Sequence, residues 1–206
     1  MNTALRHGPV SRYLLSVTRS LKDPNLRIGA VVDGLGTEGL GLALLVLSIP
    51  ALVPSPGPFG MVFGSLVAVL ALQILFGAER LWLPVRLRYR AAPRNALRAT
   101  IGRALPWIGR IETVLKEERL PALTGRQARI AFAVPILLMA ITIALPIPLG
   151  NFAPAVALII MGLGFMTRDG LAVLVGLIAA GIALAWTAAL VLFGAGAVAW
   201  VWSFFS

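Results

Sequence analysis

The stretch that decides the fold is Leu145-Pro146-Ile147-Pro148-Leu149-Gly150-Asn151-Phe152, a helix-breaking knot with long apolar segments on either side. A second knot, Val53-Pro54-Ser55-Pro56-Gly57-Pro58-Phe59-Gly60, interrupts an earlier apolar run in the same way. Proline removes a backbone donor and blocks a continuing helix, and glycine loosens the chain further, so each knot turns or unwinds the backbone. Irregular backbone survives inside hydrocarbon only where protein or a watery cavity covers it. Two readings stay open: re-entrant turns at membrane depth, or exposed turns between two spans.

The apolar segments around the knots set the class. Of 206 residues, 59% are hydrophobic and 13% charged, and the mean hydropathy of +0.91 lies outside the range of soluble globular domains. This composition predicts an integral membrane protein. The 18 Lys and Arg against 8 Asp and Glu are segregated along the chain. Residues 1 to 27 hold five basic residues, residues 80 to 129 hold twelve, and only Arg168 follows. Nucleic-acid binders carry basic faces on water-soluble domains, which this chain lacks, so nucleic acid is excluded as a partner. Basic loops held on the cytoplasmic side account for the pattern and place the N-terminus there. With no cysteine there is no disulfide framework, thiolate nucleophile or cysteine metal site. Residues Met1 to Asp23 lack the continuous apolar core of a signal peptide.

Four regions of one membrane domain follow. Residues 1–38 form a cytoplasmic amphipathic region: Val10, Leu14, Val17 and Leu21 mark one face of a short helix suited to the anionic leaflet, and Asn25 opens a second. Residues 39–77 make a first membrane hairpin, apolar from Leu40 to Val53 and from Phe59 to Gly77 around the first knot. Residues 78–129 form a basic interfacial layer in which Leu97, Ile101, Leu105, Ile108, Ile111 and Leu115 step by three or four. Residues 130–206 hold a second hairpin, with blocks Ile130 to Leu145 and Phe152 to Met166, then a span to about Phe193, a break at Gly194-Ala195-Gly196 and a peripheral tail. The expected fold is all-α, with two repeated proline-broken helical hairpins and amphipathic interfacial helices.

An internal repeat supports the hairpins. Setting Phe59 against Phe152 aligns the passages without a gap, sets Pro54 and Pro56 near Pro146 and Pro148 and places Gly77 on Gly170. Many transporters bind substrate between such halves at broken helices. The positive-inside pattern makes both hairpins start from the cytoplasm, a parallel repeat. The small residues Gly176, Ala180 and Ala183 to Ala185 permit close helix approach and suit a homodimer.

The knots and their surroundings resemble the ExoD family of bacterial membrane proteins, named for exopolysaccharide synthesis. The resemblance rests on Ile28-Gly29, Gly36, Gly39-Leu40-Gly41, Pro54-Ser55-Pro56-Gly57, Leu70-Ala71-Leu72-Gln73, Gly77, Trp82-Leu83-Pro84, Leu145 to Asn151, Pro154-Ala155 and Asp169-Gly170. It implies a multi-pass protein of a Gram-negative inner membrane, linked to exopolysaccharide production and, in some members, to tolerance of alkali. It supplies no reaction. The first knot departs from the family pattern in having Ser55 and Pro58 around its glycine.

The chain is poor in catalytic groups, so no enzyme and no cofactor is expected. His7 is the only histidine, Glu112, Glu117 and Glu118 sit among basic residues, and no paired carboxylates or metal-ligand spacing occur. Binding has better support. If both knots bend back within the bilayer, the helices starting near Gly60 and Phe152 aim free N–H groups and positive dipole ends into one cavity that suits an anion. The candidate ligand-binding residues are Pro54, Ser55, Pro56, Gly57, Gln73, Pro146, Pro148, Gly150 and Asn151. Gln73 is an uncharged polar group on an apolar helix, where it serves either a site or a helix-to-helix hydrogen bond. Asp169, Arg168 and Glu38 are candidates for ion coupling, with Asp33 and Glu79 behind them; Asp169 and Glu38 also suit helix caps. The leading expectation is a transporter or lipid-carrier-handling protein that binds an anion, such as a polyprenyl-phosphate head group, at the knots, with membrane lipids as partners. Ion or proton exchange, and a noncatalytic scaffold of the synthesis machinery, are the alternatives.

Overall fold

The computed structural model describes residues 9–20, 27–52, 59–91, 95, 98–99, 101–103, 105–106, 109–110, 115, 119–145 and 150–203. The described residues are helical apart from turns and one isolated bridge between Arg27 and Ala91. The helices are α1 (Pro9–Ser20), α2 (Ile28–Asp33), α3 (Glu38–Ser48), α4 (Phe59–Leu75), α5 (Val85–Arg88), α6 (Arg126–Ala144), α7 (Phe152–Thr167) and α8 (Gly170–Trp202). A short 3-10 turn, Pro50–Leu52, extends α3 toward the first knot.

Helices α3 and α4 flank the first knot, and α6 and α7 flank the second. Each then packs on the other pair: α3 lies along α7 and α4 along α6, with α8 against α7. Glycines make these approaches close. A Cβ at Gly64 of α4 would sit 2.6 Å from the Ala144 nitrogen and 2.8 Å from the Ala140 carbonyl of α6. Gly162 of α7 would meet Leu45 of α3 in the same way, at 2.9 Å from its nitrogen. Between such crossings the core fills with Leu40, Leu44, Leu70, Ile136, Met139, Ile143, Leu158 and Met161, all buried.

The helix ends sort into two layers. Glu38, Glu79, Arg119, Arg126, Arg168 and Asp169 lie at one end, in three ion pairs: Glu38 with Arg168, Glu79 with Arg126 and Asp169 with Arg119. Leu52, Gly60, Leu145 and Asn151 lie at the other, where the knots are. At the charged end α4 stops in a left-handed Gly77 (φ 80°), with the Ala78 N–H donating to the Gln73 carbonyl and the Gly77 N–H to Ile74, both 2.9 Å. Helix α7 stops in the same way, with the Asp169 N–H donating to the Gly164 carbonyl at 2.9 Å, but its left-handed residue is Arg168 (φ 55°).

Outward faces are as apolar as the core. Val62, Leu66, Val69 and Phe76 on and just after α4, Val134, Leu138 and Ile141 on α6, and Val175, Ile178, Ile182 and Trp186 on α8 recur at helical spacing and are all exposed. Helices α6 and α8 as far as Gly194 are long and apolar enough to cross a membrane.

Three sequence expectations change. The stripe on α1 is covered by protein: Leu14 and Val17 are buried with Leu45, Ile101 and Met166, because a tertiary partner is at hand for the face assigned to the leaflet. The break expected at Gly194-Ala195-Gly196 is absent, and α8 runs unbroken to Trp202. Glycine weakens a helix by about 1 kcal/mol against alanine, but unlike proline it keeps its N–H in the ladder. Finally, the small residues of α8 are used within the chain: a Cβ at Gly176 would meet Met161 of α7, and Ala180 and Ala183 are buried in the core. Of the residues named for close helix approach, Ala185 is exposed.

Candidate functional site

At the knot end, Pro54, Ser55, Pro56, Gly57, Pro146 and Pro148 lie outside the described residues. The residues next to them are brought together. Gly60, in the first turn of α4, lies against Asn151, the residue before α7: a Cβ at Gly60 would sit 2.5 Å from Asn151 Nδ2 and 2.8 Å from the Ile143 carbonyl. Asn151 makes no side-chain cap on its own helix, although its carbonyl accepts the Ala155 N–H at 3.0 Å. Its Oδ1 is buried and has no hydrogen-bond partner among the described residues. Gly150 is buried beside it. The first turns of α4 and α7, whose leading N–H groups have no intrahelical acceptor, thus start side by side.

Gln73 is not brought to this cluster. It sits two residues from the other end of α4, about 20 Å away along the helix, where its Oε1 accepts the Trp82 backbone N–H at 2.8 Å. The partner of that oxygen lies in the loop that leaves α4.

At the charged end, Asp169 is fully buried and well supplied with donors. Oδ2 accepts from Arg119 at 2.6 and 3.3 Å, and Oδ1 accepts the Leu171 and Ala172 N–H groups at 3.0 and 3.3 Å, capping α8. The cap was legible from Asp-Gly-Leu at the head of an apolar run; the arginine fifty residues earlier was not. Glu38 caps nothing. It lies inside the first turn of α3 and pairs with Arg168 at 2.6 Å. Asp33 is half-buried against Arg88, and Glu79 pairs with Arg126 at 3.5 Å. Among the described residues no group of three His, Asp or Glu side chains stands close enough to hold a metal.

A cavity of about 570 Å³ opens among these pairs, lined by Thr37, Thr124, Gly125, Arg129, Phe165 and Arg168. Arg129 and the two threonines carry no motif that singles them out. The one available signal is position: Arg129 is the last basic residue before the apolar run that begins at Ile130.

The described residues define a class: an all-helical fold with two helices long and apolar enough to cross a membrane. Residues 10–189 match the family described as exopolysaccharide synthesis, ExoD, and the chain belongs to that family. It is similar to the protein ExoD of Rhizobium meliloti, 25% identical over 169 residues that cover 80% of this chain and 70% of the relative. An uncharacterized protein of Synechocystis, slr1875, is 28% identical over 158 residues, covering 76% of this chain and 74% of the relative. No solved structure matches the chain.

Proposed function

We propose that this ExoD-family chain is a multi-pass protein of the bacterial inner membrane that serves exopolysaccharide synthesis by holding the anionic head group of a lipid carrier at the knots. The observation that carries the proposal is the contact of Gly60 with Asn151, which sets the N-termini of two long helices side by side. Each such terminus presents unpaired N–H groups and the positive end of a helix dipole, and two together suit a phosphate better than one. Asn151 adds an amide whose Nδ2 lies at the contact.

Membrane insertion follows from the exposed apolar stripes on α4, α6 and α8, since large contiguous apolar faces call for lipid or a partner. The basic segments put the charged end at the cytoplasmic surface. Helix α4, with 17 residues, then rises about 25 Å toward a far boundary about 30 Å away. The first turns of α4 and α7 accordingly sit just inside the outer edge of the hydrocarbon, where a carrier's phosphate and its lipid tail are both accommodated. The pairing of α3 with α7 and α4 with α6 fits a parallel two-fold repeat, because exchanging the hairpins maps one pair onto the other. The role requires no catalysis.

The test uses the purified chain in nanodiscs with a polyprenyl phosphate. Saturable binding is expected, at least fivefold weaker in Asn151→Leu, which keeps the side-chain size and removes the amide. Unchanged binding in that variant refutes the site.

A further inference from the structure

We infer that the cavity at the charged end is a second anion site, in which Arg129 and Arg168 take a phosphate or diphosphate group. Four features of the cavity converge on it. Both guanidinium side chains line it, with Thr37 and Thr124 beside them and Phe165 as an apolar wall. The neighbouring arginines each have a carboxylate: Arg119 has Asp169, Arg126 has Glu79 and Arg168 has Glu38. Arg129 is half-buried and, among the described residues, makes no direct ion pair, with Glu79 and Glu38 near enough only to be felt through space. Holding a guanidinium partly out of water without a direct partner is costly, and an anion in the cavity supplies that partner.

The third feature is the head of α6. Its N-cap, Gly125, lines the cavity and offers no side-chain cap, so the first N–H groups of a 19-residue helix open there. The fourth is the backbone of Arg168. The left-handed residue ending α4 is Gly77, which adopts that conformation freely, whereas α7 uses an arginine there. A side chain in that conformation is strained, and the strain is matched to a guanidinium aimed into the cavity. Arg168 Nη2 donates to Thr37 Oγ1 at 3.4 Å and pairs with Glu38 at 2.6 Å, and Arg126, Arg129 and Arg168 against Glu38 and Glu79 leave this end positive. A bidentate fork from each arginine is the arrangement that recognises phosphate oxygens.

This site lies a helix length from the knots, at the proposed cytoplasmic surface, and stands or falls separately from them. The phosphate comes either from a soluble ligand or from a lipid head group. The test measures thermal unfolding of the detergent-solubilised chain against inorganic pyrophosphate, with sodium chloride matched in ionic strength, and in parallel counts lipids retained from phosphatidylglycerol or phosphatidylcholine nanodiscs by native mass spectrometry. A saturable rise in Tm with pyrophosphate identifies a soluble ligand; selective retention of phosphatidylglycerol without that rise identifies a lipid. Arg129→Gln and Arg168→Gly should each weaken whichever response is seen by at least tenfold, while Ile178→Leu, on an outward face of α8, leaves it unchanged. Arg168→Gly relaxes the strained backbone, which offsets part of the loss of the Glu38 pair, and gives a second variant should Arg129→Gln not fold. No response in either arm, or an equal response in Arg168→Gly, overturns the inference.

Discussion

Asp169 illustrates how a side chain singled out in a sequence finds partners in the fold that the sequence does not name. An acid beside an apolar run invites an ion-coupling reading, but its oxygens are engaged by Arg119 and by the head of α8. Asp169→Asn keeps an acceptor for the cap and removes the charge that faces Arg119. Breaking a fully buried pair costs about 3–5 kcal/mol, and because Arg119 is 38% exposed the expected loss is nearer 1–3 kcal/mol. Asp169→Ala loses about 1 kcal/mol more with the cap. Thermal unfolding in detergent should therefore rank parent, Asn and Ala in that order; equal midpoints would return Asp169 to the ion-coupling role. Residue-level chemistry was legible where it is local, as in this cap. It was hidden where it depends on contacts across the chain, as in Arg119 with Asp169, Arg168 with Glu38 and Gln73 with the Trp82 backbone.

At the scale of elements, hydropathy and helix boundaries answer different questions. The apolar block Ile130 to Leu145 became Arg126–Ala144, since hydrogen bonding begins after Gly125 irrespective of the charges on the first turn. Pro135 is accommodated within that helix. The same independence explains α8, where two glycines suggested a break and the ladder continues. Gly194 and Gly196 have open space where a Cβ would go. Replacing both with alanine should therefore leave stability unchanged or slightly raised, with helicity by circular dichroism also rising. A loss of stability would mean that the helix bends there after all. The α1 stripe carries the complementary lesson: amphipathic spacing says that one face must be covered, not whether lipid or protein covers it.

For the whole molecule, the all-helical class was readable from composition and apolar patterning. The partnership of α3 with α7 and α4 with α6 was not, because it is set by where Gly64 and Gly162 let backbones approach. The outward stripes make a prediction of their own. Ile178→Arg places a charge on an exposed face of α8, which costs about 2.5–3.5 kcal/mol near a bilayer centre. Membrane-fraction yield should fall sharply for Ile178→Arg and hold for Ile178→Leu; full yield for the arginine variant would mean the face meets water. The contact between Gly60 and Asn151 bears also on how such a chain keeps its halves in order. With Phe59 set on Phe152, Gly60 falls on Ala153 and Asn151 on Pro58. Two copies of the first half would bring glycine to proline and leave the amide out, and two copies of the second would press the amide onto a methyl group. Only unlike halves supply both the notch and the peg, so the seam acts as a key that favours the pairing of a first half with a second over the pairing of like halves.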